Sequence, residues 1–342
     1  MKDIKISVII PVYNCGNAIR KAIENLSDQN FDREYEVILV DDSSTDNSVQ
    51  IIKEMIEKQD HKERFRLLCN EHNMRAGGAR NNGIKNACGE YVLFVDQDDY
   101  PAQNMLKKLY ELTDFERIDV TACEVIESSG KKADRVIMSK TNLSLQDKRK
   151  LIAGQGYVFA MLIRRKTLTE NNIYFPEHVL FEDLLYNALI FDKINSFASC
   201  SDELYYRTFF ENSQTTTPVT YQKVKDRVEN TVFYLNKLGD RYFLYKEELD
   251  LHVLHYVYMT SFWTLLATKL FNYNLAKRCL KICKEKDIDC RKIDIWEKGN
   301  YSHLIKSILK YAYKHPKHIF VMHYFIVFLL GIKKVCRKMI GK

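Results

Sequence analysis

The chain has 342 residues, 46% hydrophobic and 28% charged. That composition suits a globular protein with a sizeable core and excludes collagen-like, coiled-coil and wholly disordered chains. The net charge of +7 is unevenly placed: residues 301–342 hold nine Lys and Arg and no acid, against 43 basic and 45 acidic side chains before them. A near-neutral body with a basic end points to an anionic surface.

The opening "MKDIKISVIIPVYN" lacks the pattern of a secretory leader, with an acid at position 3 and a short apolar run broken by Pro11. The nine cysteines show no paired spacing, so a reduced compartment is expected. Cys279, Cys283 and Cys290 lack the tight pairs and the fourth ligand of a zinc site.

In chain order, "IKISVIIPV" reads as a buried strand and "NAIRKAIENLSDQ" as a helix with an apolar face. "YEVILVDD" is a second strand ending in acids. The helix after it has Ser44 or Thr45 as its expected N-cap. "FRLLCN" is a third strand, "AGGARNNGIKNA" a Gly-rich entry into a helix, and "GEYVLFVDQDD" a fourth strand. Strands apolar on both faces, alternating with helices, predict a mostly parallel sheet flanked by helices. Ligands bind such sheets at the carboxyl ends of the strands, where Tyr13, Asp41–Asp42 and Asp96–Asp99 fall. Beyond residue 100, "IDVTACEVI", "YVFAMLIRR" and "SFASCSDELYYRTFF" read as strands and "FEDLLYNALIFDKI" as a helix opening on two acids. From about Tyr221 the pattern is helical. Three segments are expected: 1–100, 101–220 and 221–342.

Each polar cluster has two readings. Asp96 and Asp98 form a D-x-D that suits Mg²⁺ or Mn²⁺, which takes one or two carboxylates plus substrate phosphates; it equally suits a solvated turn. Asp42 fits either a helix cap or an acceptor for a nucleobase N–H. Gly77, Gly78 and Arg80 fit either a Gly-rich turn or a close approach to a diphosphate, without the G-K-[ST] of a Walker loop. Glu182 and Asp183 fit either the acidic first turn of a helix or a general base held ionised by the helix dipole.

Taken in order, "SVIIPVYN", "VDDSSTDNS", "GGARNNG", "YVLFVDQDDY" and "FEDLLYN" resemble the family 2 glycosyltransferases over about residues 5–215, in particular bacterial members that build capsule, exopolysaccharide or lipopolysaccharide. The resemblance implies a GT-A fold, first half for the nucleotide sugar and second half for the acceptor, followed by a C-terminal helical region. It implies Pro11, Val12 and Tyr13 lining the base pocket, Asp42 accepting from uracil, and Arg80 near the nucleotide. Asp96 would contact the ribose or the metal's water shell, and Asp98 would ligate Mn²⁺ or Mg²⁺. Asp183 would be the catalytic base with Glu182 beside it. Arg207 and Ser213 to Thr217 would close over the diphosphate. The implied reaction is inverting transfer from a UDP-sugar to a glycan or lipid-linked acceptor. The lack of Q-x-x-R-W favours one sugar per encounter. A catalytically silent nucleotide-sugar-binding protein and a sugar-nucleotidyltransferase are the alternatives.

Residues 319–332, "IFVMHYFIVFLLGI", are too few to span a bilayer. With "KKVCRKMIGK" after them they suit an interfacial helix on an anionic membrane. The expectation is thus a cytoplasmic enzyme, peripheral at the inner face of the membrane through residues 319–342. A core helix is the competing reading. Basic residues interleaved with apolar runs argue against nucleic acid. Residues 252–271 read as a buried bundle helix.

Overall fold

The computed structural model describes residues 3–130, 132, 135–155, 157–208, 217–288 and 303–340. The chain divides into two compact units, Met1–Thr217 and Pro218–Lys342.

The first unit begins with the expected alternation. β1 (Ile6–Val12) and β2 (Tyr35–Asp41) are buried along their whole length. α1 (Ile19–Ser27) lies between them and buries Ile19, Ala22, Ile23 and Leu26, its i, i+3, i+4, i+7 stripe. α2 (Ser48–Glu57), β3 (Phe65–Cys69), α3 (Arg75–Asn86) and β4 (Tyr91–Phe94) follow. These four strands are parallel, in the order β3-β2-β1-β4. β4 stops opposite Ile9 while β1 runs on to Val12, so the order reverses at β1 with an open end beside it. This is the switch point at which doubly wound sheets bind ligands.

The second half departs from a simple parallel sheet. β5 (Tyr100–Pro101), α4 (Met105–Glu111), β6 (Val120–Glu127), β7 (Ser139–Lys140) and α5 (Leu145–Gly154) lead to β8 (Met161–Arg164). β8 enters antiparallel between β4 and β6. After α6 (Arg165–Glu170) and α7 (Tyr186–Lys193), β9 (Phe197–Arg207) pairs parallel with β6 and antiparallel with β5 and β7. The result is one nine-stranded mixed sheet, of order β3-β2-β1-β4-β8-β6-β9-β5 with β7 on β9.

Three local expectations change. The glycines of "AGGARNNG" lie inside α3 rather than ahead of it. Ser44 and Thr45 do not cap α2, which starts at Ser48. Their hydroxyls hold Asn14 instead, Ser44 Oγ accepting its N–H at 2.9 Å and Thr45 Oγ1 its amide at 3.3 Å. Glu182 and Asp183 do not open a helix, because α7 begins at Tyr186. They sit in a turn in which the Leu184 N–H donates to the Phe181 carbonyl at 3.4 Å and the Tyr186 N–H to the Asp183 carbonyl at 3.2 Å. Phe181 ahead of them is left-handed, with φ 62°. The helix-dipole argument for an ionised base therefore lapses.

The second unit is helical: α8 (Tyr221–Leu238), α9 (Lys246–Val253), a π-helical stretch Leu254–Phe262, α10 (Trp263–Ala267), α11 (Tyr273–Glu285), α12 (His303–Lys314) and α13 (Ile319–Ile340). Residues 252–271 form helical core, burying Val257, Tyr258, Phe262, Leu265 and Leu266. His252 sits there uncharged, because burial and then His255 hold it down at about 3. No described helix is long and apolar enough to cross a membrane.

α3 can lie on β1 only because residue 83 has no side chain: a Cβ on Gly83 would stand 2.3 Å from Ile9 Cγ2. Ile9 is β-branched and fully buried, so it cannot swing aside. An exposed helical Gly→Ala change gains about 1 kcal/mol. Gly83→Ala is instead expected to cost about 1–3 kcal/mol by overpacking. Urea unfolding checks this, and an unchanged midpoint would mean that α3 lifts off β1 freely.

Candidate active site

A cleft of about 500 Å³ lies at the carboxyl ends of β1, β2 and β4. Pro11, Val12 and Tyr13 leave β1 into one side of it, and Asp42 follows β2. Tyr13 is 40% exposed, so its ring is open to stacking. Its backbone is fixed by Gln97, whose Oε1 accepts the Tyr13 N–H at 2.8 Å and whose Nε2 donates to the Tyr13 carbonyl at 3.3 Å. Gln97 thus joins the end of β1 to the D-x-D turn.

Asp42 is buried. Its Oδ1 accepts from Asn70 Nδ2 at 2.8 Å and from the Met74 N–H at 2.9 Å, while its Oδ2 has no partner among the described residues. An unsatisfied buried acceptor is costly. This one lines the cleft, where a ligand N–H can satisfy it.

Arg80 occupies the centre. α3 delivers it nearly fully buried, 4% exposed. Its Nη2 donates to Asp96 Oδ1 at 2.7 Å and its Nη1 to Glu182 Oε1. Gly77 makes the second contact possible, since a Cβ there would meet the Pro176 carbonyl at 2.2 Å and Glu182 Cβ at 3.3 Å. Both terminal nitrogens of Arg80 therefore bind protein carboxylates, and the side chain serves first as a clamp. The exposed cleft arginine is Arg75, at the start of α3 with φ 64°. The sequence pattern gave no sign of it.

The D-x-D turn is tied to β9. Tyr205 Oη accepts the Asp96 N–H at 3.1 Å and donates to Asp99 Oδ2 at 2.9 Å, and Asp99 Oδ1 accepts the Thr208 N–H at 2.8 Å. Burial and then Asp96 push the Asp99 carboxyl well above the ordinary range. The same two causes raise Asp98 to about 6, against the pull of Arg207. Arg207 lines the cleft and lies over the rings of Tyr157 and Phe159 at 5.2 and 5.8 Å. Ser213 to Thr216, expected to close over the diphosphate, lie outside the described residues. No group of three or more His, Cys, Asp or Glu suited to a metal is found among the described residues.

Asp183 is pushed up to about 7 by burial and then by its neighbour Glu182, against Arg80. A carboxyl raised that far is a stronger base than the ordinary one expected from sequence.

The profile of glycosyl transferase family 2 matches residues 7–172. Just under half of the chain thus carries that family's profile. It is 31% identical over 211 residues to the poly(ribitol-phosphate) beta-glucosyltransferase of Bacillus spizizenii, covering 59% of this chain and 32% of that protein. It is 26% identical over 331 residues to the uncharacterized glycosyltransferase YibD of Escherichia coli, covering 89% and 88%. The chain thus spans about a third of the length of the first of these relatives. The crystal structure of S. aureus TarS 1–349 in complex with UDP-GlcNAc superposes with a TM-score of 0.70 at 24% identity, covering 94% of this chain and 90% of that one. That likeness gives the fold, a GT-A-like mixed sheet followed by helices.

Replacing Arg80 by Met leaves Asp96 and Glu182 facing each other without their shared cation. Breaking a buried pair from one side costs about 3–5 kcal/mol, and Arg80→Met is expected to lose that much at neutral pH. The penalty in the variant lies in the unanswered negative charge of these carboxylates. Their penalty is absent while they are protonated and grows as pH rises. The gap to wild type should therefore narrow on acidification. Chemical denaturation at several pH values checks it; a pH-independent gap would mean that the pair carries no charge energy.

Proposed function

We propose that the chain is an inverting glycosyltransferase that moves a sugar from a UDP-sugar to a hydroxyl of a glycan or lipid-linked acceptor in surface polysaccharide synthesis. The observation that carries this is the gathering of unlike carboxylates in one cleft at the switch point: Asp42 with an unpartnered oxygen, Asp98 raised beside Asp96, and Glu182, which Asp183 follows in the chain. The names of the relatives support the class of acceptor, and the TarS 1–349 complex supports the uridine nucleotide.

In this reading Tyr13 stacks on the base, Pro11 and Val12 form the wall behind it, and Asp42 Oδ2 accepts the uracil N–H. Asp96, oriented by Arg80 and by Tyr205, faces the ribose. Arg75 and Arg207 offer charge to the diphosphate. The D-x-D pair fits a divalent ion: two carboxylates, one destabilised by burial and by its neighbour, lack positive charge that a cation with phosphate ligands would bring. Held by Asp98 with Asp96, Mn²⁺ or Mg²⁺ would supply Lewis acidity toward the departing diphosphate. Asp183 accepts the proton of the attacking hydroxyl as positive charge develops at the anomeric carbon. Glu182, bound to Arg80, positions that base rather than sharing its task. Attack opposite the leaving group inverts the centre. The acid-free basic end (301–342) supports work at the inner face of a membrane, held peripherally.

Asp183→Asn is expected to abolish transfer and leave UDP affinity within about twofold, read by UDP release and by calorimetry. Retained turnover would sink the assignment. Because the base works deprotonated, kcat/KM should rise with pH up to a midpoint near 7, well above an ordinary carboxylate; a midpoint near 4 would exclude Asp183. Asp98→Ala should remove the Mn²⁺-dependent part of UDP binding. Equal wild-type affinities with and without Mn²⁺ would count against a metal.

A further inference from the structure

Among the described side chains, α13 is held to its own unit by Ile319, His323 and Ile326. Ile319 and Ile326 are buried, and His323 Nδ1 lies 2.9 Å from the Leu266 carbonyl. The other side presents Phe320, Val321, Tyr324, Phe325 and Phe328, each more than half exposed. Their spacing of i, i+1, i+4, i+5, i+8 makes one continuous, mostly aromatic stripe. Phe271 extends it, stacked on His323 at 4.2 Å and tilted against Phe320 at 6.1 Å.

A groove of about 710 Å³ begins at the next residue. Asn272, which caps α11 by accepting the Leu275 N–H at 2.9 Å, and Pro316, just ahead of α13, both line it. Its far wall carries Lys277, Lys281 and Lys284, an i, i+4, i+7 row on α11, with Lys225 of α8 opposite. Arg278 is answered by Glu229 at 2.7 Å and Lys281 by Glu285 at 3.4 Å. Lys225, Lys277 and Lys284 have no ion-pair partner among the described residues. A cationic groove therefore adjoins an exposed apolar stripe where Asn272 follows Phe271 and Pro316 precedes α13.

We propose that this groove binds the phosphate headgroup of an anionic lipid while the α13 stripe lies in the bilayer interface. The proposal rests on the reading of the chain as a peripheral membrane enzyme and adds a defined headgroup site. The charge favours a bilayer over a second copy of the chain. Lysine is depleted in protein interfaces, whereas an aromatic stripe beside unanswered lysines matches an anionic membrane surface. The basic end after residue 332 adds attraction of the same sign.

The test is co-sedimentation of the full chain with phosphatidylcholine vesicles, with and without phosphatidylglycerol. Wild type should bind both and prefer the anionic vesicles. Lys277→Glu with Lys284→Glu should cut partitioning to anionic vesicles roughly tenfold or more and leave neutral vesicles unchanged; Lys277→Arg with Lys284→Arg should restore it. Phe325→Ser with Phe328→Ser should weaken binding to both. Helical circular dichroism confirms that each variant folds. Wild-type lipid preference in the Lys→Glu pair, with binding lost in the Phe→Ser pair, would overturn the groove and leave the interfacial helix standing. A wild-type chain that binds neither vesicle and sediments as a dimer would overturn both, making the stripe an interface between copies.

Discussion

The buried guanidinium of Arg80 is the contact on which the site depends. It joins α3 to the end of β4 and to the turn before α7, through partners 16 and 102 residues away in sequence. Asp96, Glu182 and Asp183 all act on it. Two unit charges 4 Å apart exert about 4 kcal/mol on each other at an effective dielectric of 20. Unanswered, these carboxylates would push the turn and the strand end apart; answered, they draw both onto α3. Gly77 and Gly83 serve the same contact, letting α3 approach the 175–176 segment and β1 closely enough.

The loops around the cleft are under local strain. Asn14, Ser43, Arg75 and Phe181 all have positive φ, and each adjoins a cleft or turn residue: Tyr13, Asp42, the start of α3, and Glu182. Such conformations cost on the order of 1–3 kcal/mol each for residues with side chains and persist when the surroundings fix them. Here the surroundings are visible. Ser44 and Thr45 hold Asn14, Gln97 holds Tyr13, and Arg80 holds Glu182. The site is built by cross-bracing loops, with the parallel strands supplying the platform.

That division explains what the sequence could reveal. β1, β2 and β4 were legible because burial on both faces forces unbroken apolar runs, and the positions where the runs stop mark the cleft. Asp42, Asp96 and Asp98 followed from that rule alone. The antiparallel entry of β8 was not legible, since an apolar run carries no direction. The turn at Glu182–Asp183 was mistaken for a helix start because acids are common there; the pull of Arg80 comes from 102 residues away and leaves no local trace. Gln97 and Tyr205 escaped notice for the same reason, binding backbone groups 84 and 109 residues distant. Arg80 was legible but its two protein partners were not, since Asp96 and Glu182 reach its terminal nitrogens only in the fold.

Arg80 divides the acids of the site into two kinds. Asp96 and Glu182 have their charge met by hydrogen bonds from Arg80. Each is followed closely by a carboxyl that Arg80 does not bond, Asp98 on one side and Asp183 on the other, and both are raised by burial and by that neighbour. Under the proposed reading the first deficit is met by a cation arriving with the donor and the second by a proton arriving from the acceptor. In that reading two like groups would take unlike roles because their surroundings differ: Arg207 acts on Asp98, which lines the open cleft, and Glu182 acts on Asp183. Under the proposed reading, one arginine between them holds both pairs in register and leaves to the reaction the two carboxyls that it does not bond.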